Sequence, residues 1–449
     1  MKLTVSDEIY TLVLPRLDVV TRSFFFEKRF FPLFCVQFFG AFNDNVFKNA
    51  LVMLITFKLA KTPNEAGLLI TLAAGLFILP FFLFSAFAGQ LADSHDKVVL
   101  IRKIKLAEVL IMLTAAFAFW TQDVHLLLGV LFFMGAQSAF FGPIKYAILP
   151  EYLSESELLK GNGWFSGSTF IAILLGTLFG GWMVLTDSGL EWVSLAVILI
   201  ALAGYLVSLK VPSLDEQPEA VRLEWNFFKA IGQEIGHARQ YPQAFFAVLA
   251  ISWFWFLGAT YLSQMPVLVK EILGANDSVV LLFLTLFSVG IGLGAWLVNQ
   301  LKLAVHSIRQ LRWLVLPLLG ITLVMLLSNV LMQSSPHQND LLTLPQFLSN
   351  PRHDVILGLM GLIAMLGGTY IVPLYTLLQI QTPEGKRSRM VAANNILNAI
   401  FMVASSLWIM LLYAYDWSLV SILMTIAALN LVAAAWVSWR SKKLIVEAS

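Results

Sequence analysis

Residues 66–92 read AGLLITLAAGLFILPFFLFSAFAGQLA, a stretch that contains no charged side chain. It is long enough to cross a bilayer as one helix, because a crossing takes about 20 apolar residues. Comparable stretches recur along the chain, which is 59% hydrophobic and only 12% charged. A soluble protein of this length needs far more charge on its surface. The sequence therefore predicts an all-α polytopic membrane protein.

The basic residues divide the connectors between these stretches into two sets. Every second connector carries most of the lysines and arginines, and positively charged connectors stay on the cytoplasmic side. We therefore predict an even number of spans and two cytoplasmic termini. The basic set includes Lys97, Arg102, Lys105, Lys160, Arg239, Arg309, Arg387 and Lys442, whereas the opposite set holds only Lys58, Lys61, Lys270 and Arg352. The twelve predicted spans are 30–57, 66–92, 100–120, 124–148, 162–186, 191–210, 243–270, 277–300, 311–333, 353–379, 390–415 and 417–439.

The longest connector separates the chain into two halves of six spans each. After Pro212 and Pro218 it continues as an amphipathic stretch, 222–235, which predicts an interfacial helix. The predicted regions are an amphipathic cytoplasmic arm at 1–29, a first six-helix bundle at 30–210, a cytoplasmic linker at 211–242, a second six-helix bundle at 243–439 and a cytoplasmic tail at 440–449.

A short pattern recurs in the two halves. The fourth span ends GPIKY at 142–146 and Asn162 follows, while the tenth ends VPLY at 372–375 and Asn394 follows. The spacing from proline to asparagine is nearly equal in the two halves. Two similar bundles with matching features are typical of transporters whose substrate pathway lies between the halves.

The first span contains FGAFNDNVFKNA at 39–50. A charged side chain at the middle of a membrane costs about 3 kcal/mol on insertion scales and usually faces protein or water. Asp44 and Lys48 stand four residues apart with the acid first, the favoured order for a helical ion pair. One interpretation is a pair that locks helices together. The polar groups exceed what packing needs, which favours a substrate or coupling site formed by Asp44, Asn45, Lys48 and Asn49.

The connector after the second span reads GQLADSHDK at 89–97. It resembles the loop motif of the major facilitator superfamily, except that Asp96 stands where the motif has a glycine. The resemblance implies the major facilitator fold, with twelve transmembrane helices in two six-helix bundles and a cytoplasmic gate between them. The alternative is a helix cap followed by ordinary basic residues of the inner face. The residues carried over to the gate are Gly89, Asp93, Lys97 and Arg102.

Motifs along nearly the whole chain resemble the lysophospholipid transporter family. They are FNDN at 42–45, GPIKYAILPE at 142–151, AILLG at 172–176, VPL at 372–374 and AANN at 392–395. SWFW at 252–255, with Pro266, is similar to the branch of that family that is fused to acyltransferase and acyl-ligase domains. The resemblance implies flipping of lysophospholipids, such as lysophosphatidylethanolamine, across the bacterial inner membrane towards the cytoplasmic leaflet. It also implies a functional link to a separate acyltransferase or acyl-ligase, and a monomer.

Two charges of that family's stand-alone members are missing here. Ser166 aligns with an acidic residue of the fifth span, and Leu262 aligns with an arginine of the seventh. Lys48 is our candidate for the replacement of the missing cation.

Further candidate substrate residues each have a structural alternative. Lys145 suits a phosphate contact, and equally a lysine that extends to the lipid headgroups. Asn394 and Asn395 suit substrate contacts or interhelical hydrogen bonds. Aromatic residues of the seventh span line an amphiphile cavity in one interpretation and form a lipid-facing belt in the other. The set is completed by Tyr146, Tyr261 and Gln264.

The sequence lacks the motifs of several enzyme classes. It contains no G-x-x-x-x-G-K-S/T phosphate-binding run and no H-x-x-x-x-D acyltransferase signature. The single cysteine, Cys35, excludes an intrachain disulfide and a cysteine-based metal cluster. We therefore expect a transporter and not an enzyme, with a membrane lipid as substrate and with no cofactor, metal or nucleic acid. The alternatives are a proton-driven carrier of another amphiphile or small metabolite, such as a siderophore or drug, and a non-transporting membrane partner of an acyltransferase.

Overall fold

In the computed structural model, residues 24–59, 63–184, 186–213, 223–301, 312–333 and 341–447 are described. Within these ranges the chain forms fifteen α-helices and no β-strand. The π-helical turns Ile55–Leu59 and Leu268–Ile272 extend the first spanning helix of each half. The helices are α1 (Phe31–Leu54), α2 (Pro63–Ser94), α3 (Lys97–Thr121), α4 (Val124–Ala147), α5 (Leu149–Tyr152), α6 (Glu155–Met183), α7 (Gly189–Ser208), α8 (Phe227–Ala238), α9 (Pro242–Val267), α10 (Asp277–Gln300), α11 (Val315–Gln333), α12 (Leu344–Leu348), α13 (Pro351–Ile380), α14 (Arg387–Ala414) and α15 (Leu419–Glu447).

Ten of the described helices are long and apolar enough to cross a membrane. The more polar α1 and α3 pack lengthwise inside the same bundle, α1 against α6 and α7 and α3 against α4 and α7. Together they confirm the predicted fold of twelve spanning helices. The predicted bounds differ most at the end of α15, which is Glu447 instead of 439. The start of α6 differs almost as much, because α6 begins at Glu155 instead of 162. The reason is a capping box in which Ser154 and Glu157 satisfy the free N–H groups of the first turn.

Local sequence signals set several helix starts. Pro32 and Pro242 lie in the first turns of α1 and α9, where a missing backbone N–H costs no hydrogen bond. Asp96 Oδ1 accepts the backbone N–H of Val98 at 2.7 Å and so caps α3. Asp96 is the residue that replaces the motif glycine, so the replacement gives the loop an ordinary helix cap.

The spanning helices form two bundles, α1–α7 and α9–α15. They meet along α2 and α4 against α14, and along α6 against α10 and α13. We call the end at which α1 begins the proximal end, and the opposite end the distal end. Because successive spanning helices alternate in direction, the ends of α2, α4 and α13 and the starts of α6 and α14 also lie at the proximal end.

Glycines bring α6 directly onto α1. A Cβ atom at Gly176 would lie 2.7 Å from the carbonyl oxygen of Phe42, and one at Gly180 would overlap that of Val46. Only a residue without a side chain permits such an approach between helix backbones. This contact fixes the polar part of α1 against the middle of α6.

The sequence analysis predicts Lys105 in a basic connector, but the structure places it elsewhere. Its side chain is 0% exposed, inside the N-terminal bundle. Glycines provide the space, because a Cβ at Gly40 of α1 would lie 2.6 Å from Lys105 Nζ, and Gly204 of α7 lies beside the same side chain. The prediction is wrong because α1 and α7 cover this face of α3.

The linker helix α8 begins at Phe227 and lies in the groove between α2 and α14. Ile231 packs with Ala86 of α2 and Ile396 of α14. This face of the helix therefore contacts protein and not a membrane surface, whereas Phe228 remains exposed.

The predicted arm at 1–29 is described only for its last residues. Phe24 is buried against the N-terminal bundle, and Arg29 Nη2 lies 2.7 Å from Glu157 Oε1 at the start of α6. The rest of the arm, and residues 214–222 of the linker, lie outside the described residues.

Candidate functional site

A cavity of about 360 Å³ lies between the two bundles. The N-terminal bundle contributes α1 and α6 to its walls, and the C-terminal bundle contributes α9, α10, α11 and α13. The lining residues lie in the middle and distal parts of these helices. We call this space the central cavity.

The polar part of the central cavity comes from α1. Asn45, Lys48 and Asn49 all line it, as the sequence analysis predicts from their place in an apolar helix. Asn49 Nδ2 donates to Thr177 Oγ1 of α6 at 3.0 Å, and Asn45 Nδ2 donates to the carbonyl of Ala41 at 2.8 Å. The bond from Asn49 to Thr177 joins α1 to α6 and so fixes the position of the Asn49 side chain.

Lys48 and Asp44 do not form the predicted contact ion pair. Asp44 Oδ2 accepts a hydrogen bond from Ser138 Oγ of α4 at 2.6 Å. The Lys48 ammonium lies 5.5 Å from the centre of the Phe77 ring, and no carboxylate of the described residues is within 4.0 Å of it. The two side chains do not pair because Asp44 faces α4, inside the N-terminal bundle, and accepts its hydrogen bond there. Lys48 thus lines the cavity without a carboxylate in contact with its ammonium among the described residues.

A buried polar network supports Asp44 from within the N-terminal bundle. Lys105 Nζ lies 2.6 Å from Glu108 Oε2 on α3, and both side chains are almost fully buried. Asn43 Nδ2 and Gln137 Nε2 donate to the same carboxylate at 3.1 and 2.9 Å. Ser138 Oγ lies within hydrogen-bond distance of both Gln137 and Asp44. Sequence analysis misses this network, although two opposite charges three residues apart in an apolar stretch are a signal for it.

The remaining walls of the central cavity are largely apolar. Their side chains come from α9, α10, α11 and α13. Tyr261 is among them, in agreement with one of the two interpretations of the sequence, and its ring centre lies 5.9 Å from that of Phe287. The Ser288 hydroxyl donates a hydrogen bond to the carbonyl of Leu284 in its own helix, at 3.0 Å. A cavity with one cationic, amide-lined part and an apolar remainder suits an amphiphile.

Aromatic rings close the cavity at the middle of the bundle. The ring of Phe170 on α6 stacks on Trp255 of α9 at 6.4 Å and meets Phe254 edge-on at 6.3 Å. These contacts join α6 of the N-terminal bundle to α9 of the C-terminal bundle at the lining of the central cavity.

A layer of inter-bundle contacts lies on the proximal side of these rings. Tyr146 of α4 stacks on Tyr375 of α13, with ring centres 4.3 Å apart and planes 5° from parallel. Asn162 Nδ2 of α6 donates to Gln379 Oε1 of α13 at 2.5 Å, and Gln379 Nε2 donates to the carbonyl of Tyr146 at 2.8 Å. We call Tyr146, Asn162, Tyr375 and Gln379 the proximal seal. The sequence repeat contains Tyr146, Asn162 and Tyr375 but not Gln379, and it does not predict their contacts.

The linker helix adds a second connection between the bundles. Glu234 of α8 is 1% exposed and accepts from Gln90 Nε2 of α2 and Arg389 Nε of α14, both at 2.7 Å. One buried carboxylate thus bonds to both bundles. The sequence analysis includes Gln90 and Glu234 only as members of longer stretches and does not predict these contacts.

The four predicted gate residues divide into two groups. Asp93 Oδ1 accepts the backbone N–H of Ser388 in the first turn of α14 at 3.3 Å, so it connects the bundles. Gly89 lies against Ala392 of α14, where a Cβ would be 2.6 Å from that of Ala392. The two predicted basic residues stay on the N-terminal side of the interface. Lys97 pairs with Glu151 at 2.7 Å, and Arg102 Nη2 donates to the carbonyl of Val211 at 3.2 Å.

The other predicted substrate residues lie away from the lining of the central cavity. Lys145 Nζ is 5.1 Å from the Tyr146 ring centre, and Asn395 faces Gly142 across the interface between α4 and α14. Asn394 is fully buried on the same helix. Gln264 Oε1 accepts from Tyr413 Oη of α14 at 2.8 Å, within the C-terminal bundle. In this conformation the structure brings together Asn45, Lys48, Asn49 and Tyr261 of the predicted set.

The two positions at which a charge is missing differ in their surroundings. Leu262 lines the central cavity, whereas Ser166 is buried in α6. An uncharged side chain at 262 leaves Lys48 as the one cation in the lining, among the described residues.

Curated relatives match over most of the chain. The lysophospholipid transporter LplT of Enterobacter sp. (strain 638) is 29% identical over 372 residues, which cover 80% of this chain and 82% of the relative. LplT of Escherichia fergusonii is 28% identical over 407 residues, which cover 89% of this chain and 91% of the relative.

Solved structures and a family model give the fold family. The Escherichia coli fucose:proton symporter FucP has a TM-score of 0.66 at 15% identity, over 91% of this chain and 98% of FucP. A bacterial homologue of the iron transporter ferroportin has a TM-score of 0.62 at 14% identity, over 92% of this chain and 98% of the homologue. The model of the Major Facilitator Superfamily matches residues 33–406. The chain therefore belongs to the Major Facilitator Superfamily.

Proposed function

We propose that this protein flips lysophospholipids across the bacterial inner membrane, towards the cytoplasmic leaflet, by alternating access. The observation that carries the proposal is the central cavity, whose lining combines Lys48 and two amide side chains with apolar walls. The name of the curated relatives, lysophospholipid transporter, supports the same substrate class.

In this proposal Lys48 binds the phosphate of the headgroup. Two unit charges about 4 Å apart attract by about 4 kcal/mol at an effective dielectric constant of 20. A neutral hydrogen bond contributes only about 1 kcal/mol. Lys48 therefore dominates headgroup binding, while Asn45 and Asn49 orient the headgroup through their amides. The single acyl chain lies against the apolar walls.

The proposed orientation sets which end of the transporter is closed in this conformation. With both termini cytoplasmic, the proximal end is the cytoplasmic end. The proximal seal then closes the cytoplasmic side, and the central cavity occupies the outer half of the membrane, where a lysophospholipid from the outer leaflet binds. Opening of the seal and rocking of the two bundles expose the same cavity to the cytoplasmic side. A separate acyltransferase or acyl-ligase would then restore the second acyl chain, and the transporter acts as a monomer.

The coupling of transport to an ion is assigned to Asp44. Its carboxylate lies one hydrogen bond from Ser138 and on the same helix as Lys48. Protonation of Asp44 removes a negative charge next to the network of Glu108 and Gln137, and thus changes the contacts between α1 and α4.

A second candidate function is a proton-driven carrier of another amphiphile or small metabolite, such as a siderophore or drug. It is favoured by Leu262, which lines the cavity at the position where the resemblance implies an arginine. Thermal stabilisation in detergent separates the two functions. Lysophosphatidylethanolamine stabilises a lysophospholipid transporter at concentrations at which unrelated ligands of similar size do not.

The decisive experiment measures flipping of fluorescent lysophosphatidylethanolamine in proteoliposomes, with and without a proton gradient. The protein should accelerate flipping, and Lys48→Ala should slow it at least tenfold, as expected for a loss of about 1.4 kcal/mol of binding. The matched control is Lys270→Ala, which removes an exposed lysine outside the cavity. Flipping at the rate of empty vesicles would overturn the proposal and favour a non-transporting partner of an acyltransferase.

A further inference from the structure

The central cavity extends beyond the cleft between the bundles. Ile321 and Met325 of α11 belong to its lining, although α11 packs against α13 and α15 within the C-terminal bundle. A space that reaches α11 must therefore enter the interior of that bundle. We call this part of the cavity, lined by Ile291, Ile321, Met325, Ile363, Ala364 and Gly367, the apolar chamber.

The apolar chamber has no place for a headgroup. Its side chains are hydrocarbon or thioether, and the nearest hydroxyl of α10, that of Ser288, already donates to a backbone carbonyl. Burying a charged or polar group without a hydrogen-bond partner carries a large cost. The cationic and amide groups of the lining, Lys48, Asn45 and Asn49, lie on α1 in the other bundle. The polar side chains that α9 and α10 add to the lining, Trp255, Tyr261 and Ser288, are not among the residues of the chamber. The two parts of an amphiphile are therefore assigned to different bundles.

The side chains of α11 at the chamber are closely packed. Met325 is 1% and Ile321 is 3% exposed, so these side chains are packed on nearly all sides. An acyl chain that comes from a bilayer gains nothing from leaving water, because the lipid is as apolar as the chamber. Discrimination between chains must therefore come from shape, since a close-packed interior tolerates neither overfilling nor voids.

We propose that the apolar chamber binds the single acyl chain of the substrate, with the chain end against Ile321 and Met325, and thereby selects its length. This inference rests on the proposed function. It places the headgroup on the N-terminal bundle and the acyl chain in the C-terminal bundle. A second acyl chain finds no room without displacement of packed side chains.

Gly258 of α9 provides a direct test. It lines the cavity, and a Cβ atom built on it meets no atom within 4 Å, so a larger side chain extends into the empty space without a clash. Gly358 of α13 is a matched control, because a Cβ there is equally free but the residue is exposed and outside the cavity lining.

The first experiment compares flipping of lysophosphatidylethanolamines with acyl chains of 8 and 16 carbons. Gly258→Leu should reduce the rate for the long chain relative to the short chain about tenfold, because the new side chain fills part of the cavity that the longer chain needs. Gly358→Leu should leave the ratio unchanged. Met325→Ala, which lengthens the chamber, should shift the preference towards longer chains. Equal loss for both chain lengths in Gly258→Leu, or an unchanged ratio in both cavity variants, would overturn the proposal.

A second experiment tests the apolar chamber independently of the proposed function. A lysophosphatidylethanolamine with a photoreactive diazirine at the chain end is cross-linked to the wild-type protein, and the labelled peptides are identified by mass spectrometry. Labelling of α11 around Ile321 and Met325 supports the chamber, even if no flipping is measured and the proposed function fails. Flipping with labels confined to other helices would overturn the chamber and leave the proposed function in place.

Discussion

At the scale of single residues, the charges inside the N-terminal bundle have two different environments. Lys48 lines the central cavity and its ammonium lies beside the Phe77 ring, without a carboxylate in contact among the described residues. Lys105, in contrast, is buried against Glu108. In the proposed function the first lysine binds the headgroup, whereas the second stays inside the bundle against Glu108. Sequence position alone does not separate these roles, since Lys48 and Lys105 both lie within the bounds of predicted spans.

The buried pair gives a prediction about stability. Lys105→Met removes the cation and leaves Glu108 charged and uncompensated inside the bundle, so the free energy of unfolding should fall by about 3–5 kcal/mol. The double variant Lys105→Met, Glu108→Gln removes both charges and should recover most of this loss. The measurement is reversible unfolding in detergent, arranged as a double-mutant cycle. Additive effects of the two substitutions would show that the charges do not interact.

Asp44 gives a prediction about coupling. Asp44→Asn keeps an acceptor for the Ser138 hydroxyl but cannot take up a proton. Flipping by this variant should therefore proceed at a rate that no longer depends on the proton gradient. The assay compares proteoliposomes with equal and unequal internal and external pH. If the variant kept the full gradient dependence, Asp44 would not be the coupling residue.

The sequence permits prediction of part of this site, for physical reasons. Asn45, Lys48 and Asn49 are predicted to meet a polar path because polar groups in an apolar helix avoid lipid, and they line the cavity. The burial of Lys105 is not predictable, because its position depends on Gly40 and Gly204 of two other helices. The cost of exposing a polar side chain to lipid can be judged from the sequence, whereas the partner of that side chain depends on how the helices pack.

At the scale of helices, hydropathy predicts the spans well and their ends less well. Each of the predicted spans corresponds to one helix of the structure, since about 20 apolar residues suffice to define a crossing. The ends are set by caps and by tertiary contacts. α6 starts early at its Ser154 capping box, and α8 starts at Phe227, where Asn226 caps the helix by accepting the N–H of Lys229.

The contact between α1 and α6 gives a prediction at this scale. In Gly180→Ala the new methyl group would overlap the carbonyl of Val46, and backbone cannot move aside as a side chain can. The helices must separate, which should lower the free energy of unfolding by about 1–3 kcal/mol. The adjacent Gly181→Ala is the control, because a Cβ there lies 3.8 Å from the flexible side chain of Met53. Equal unfolding transitions for the two variants would contradict this close contact.

At the scale of the whole molecule, the described contacts between the bundles concentrate at the proximal end. Tyr146 stacks on Tyr375 and Asn162 bonds to Gln379, and Glu234 of the linker helix holds Gln90 and Arg389 together. The central cavity occupies the middle and distal parts of the same interface. This distribution belongs to one of the two end states of a rocking transporter, the one that is closed at the proximal end.

If transport requires these proximal contacts to break, a covalent link across them must stop it. Gln90→Cys and Arg389→Cys, in a chain with Cys35→Ser, place one thiol on each bundle beside Glu234. A short, reducible bifunctional thiol reagent should join them, lower flipping to the level of empty vesicles, and allow recovery when a reductant cuts the link. Each single-cysteine variant controls for modification without a link. Full flipping by the linked protein would mean that substrate crosses without separation of the bundles at the proximal end, and alternating access about the central cavity would be ruled out.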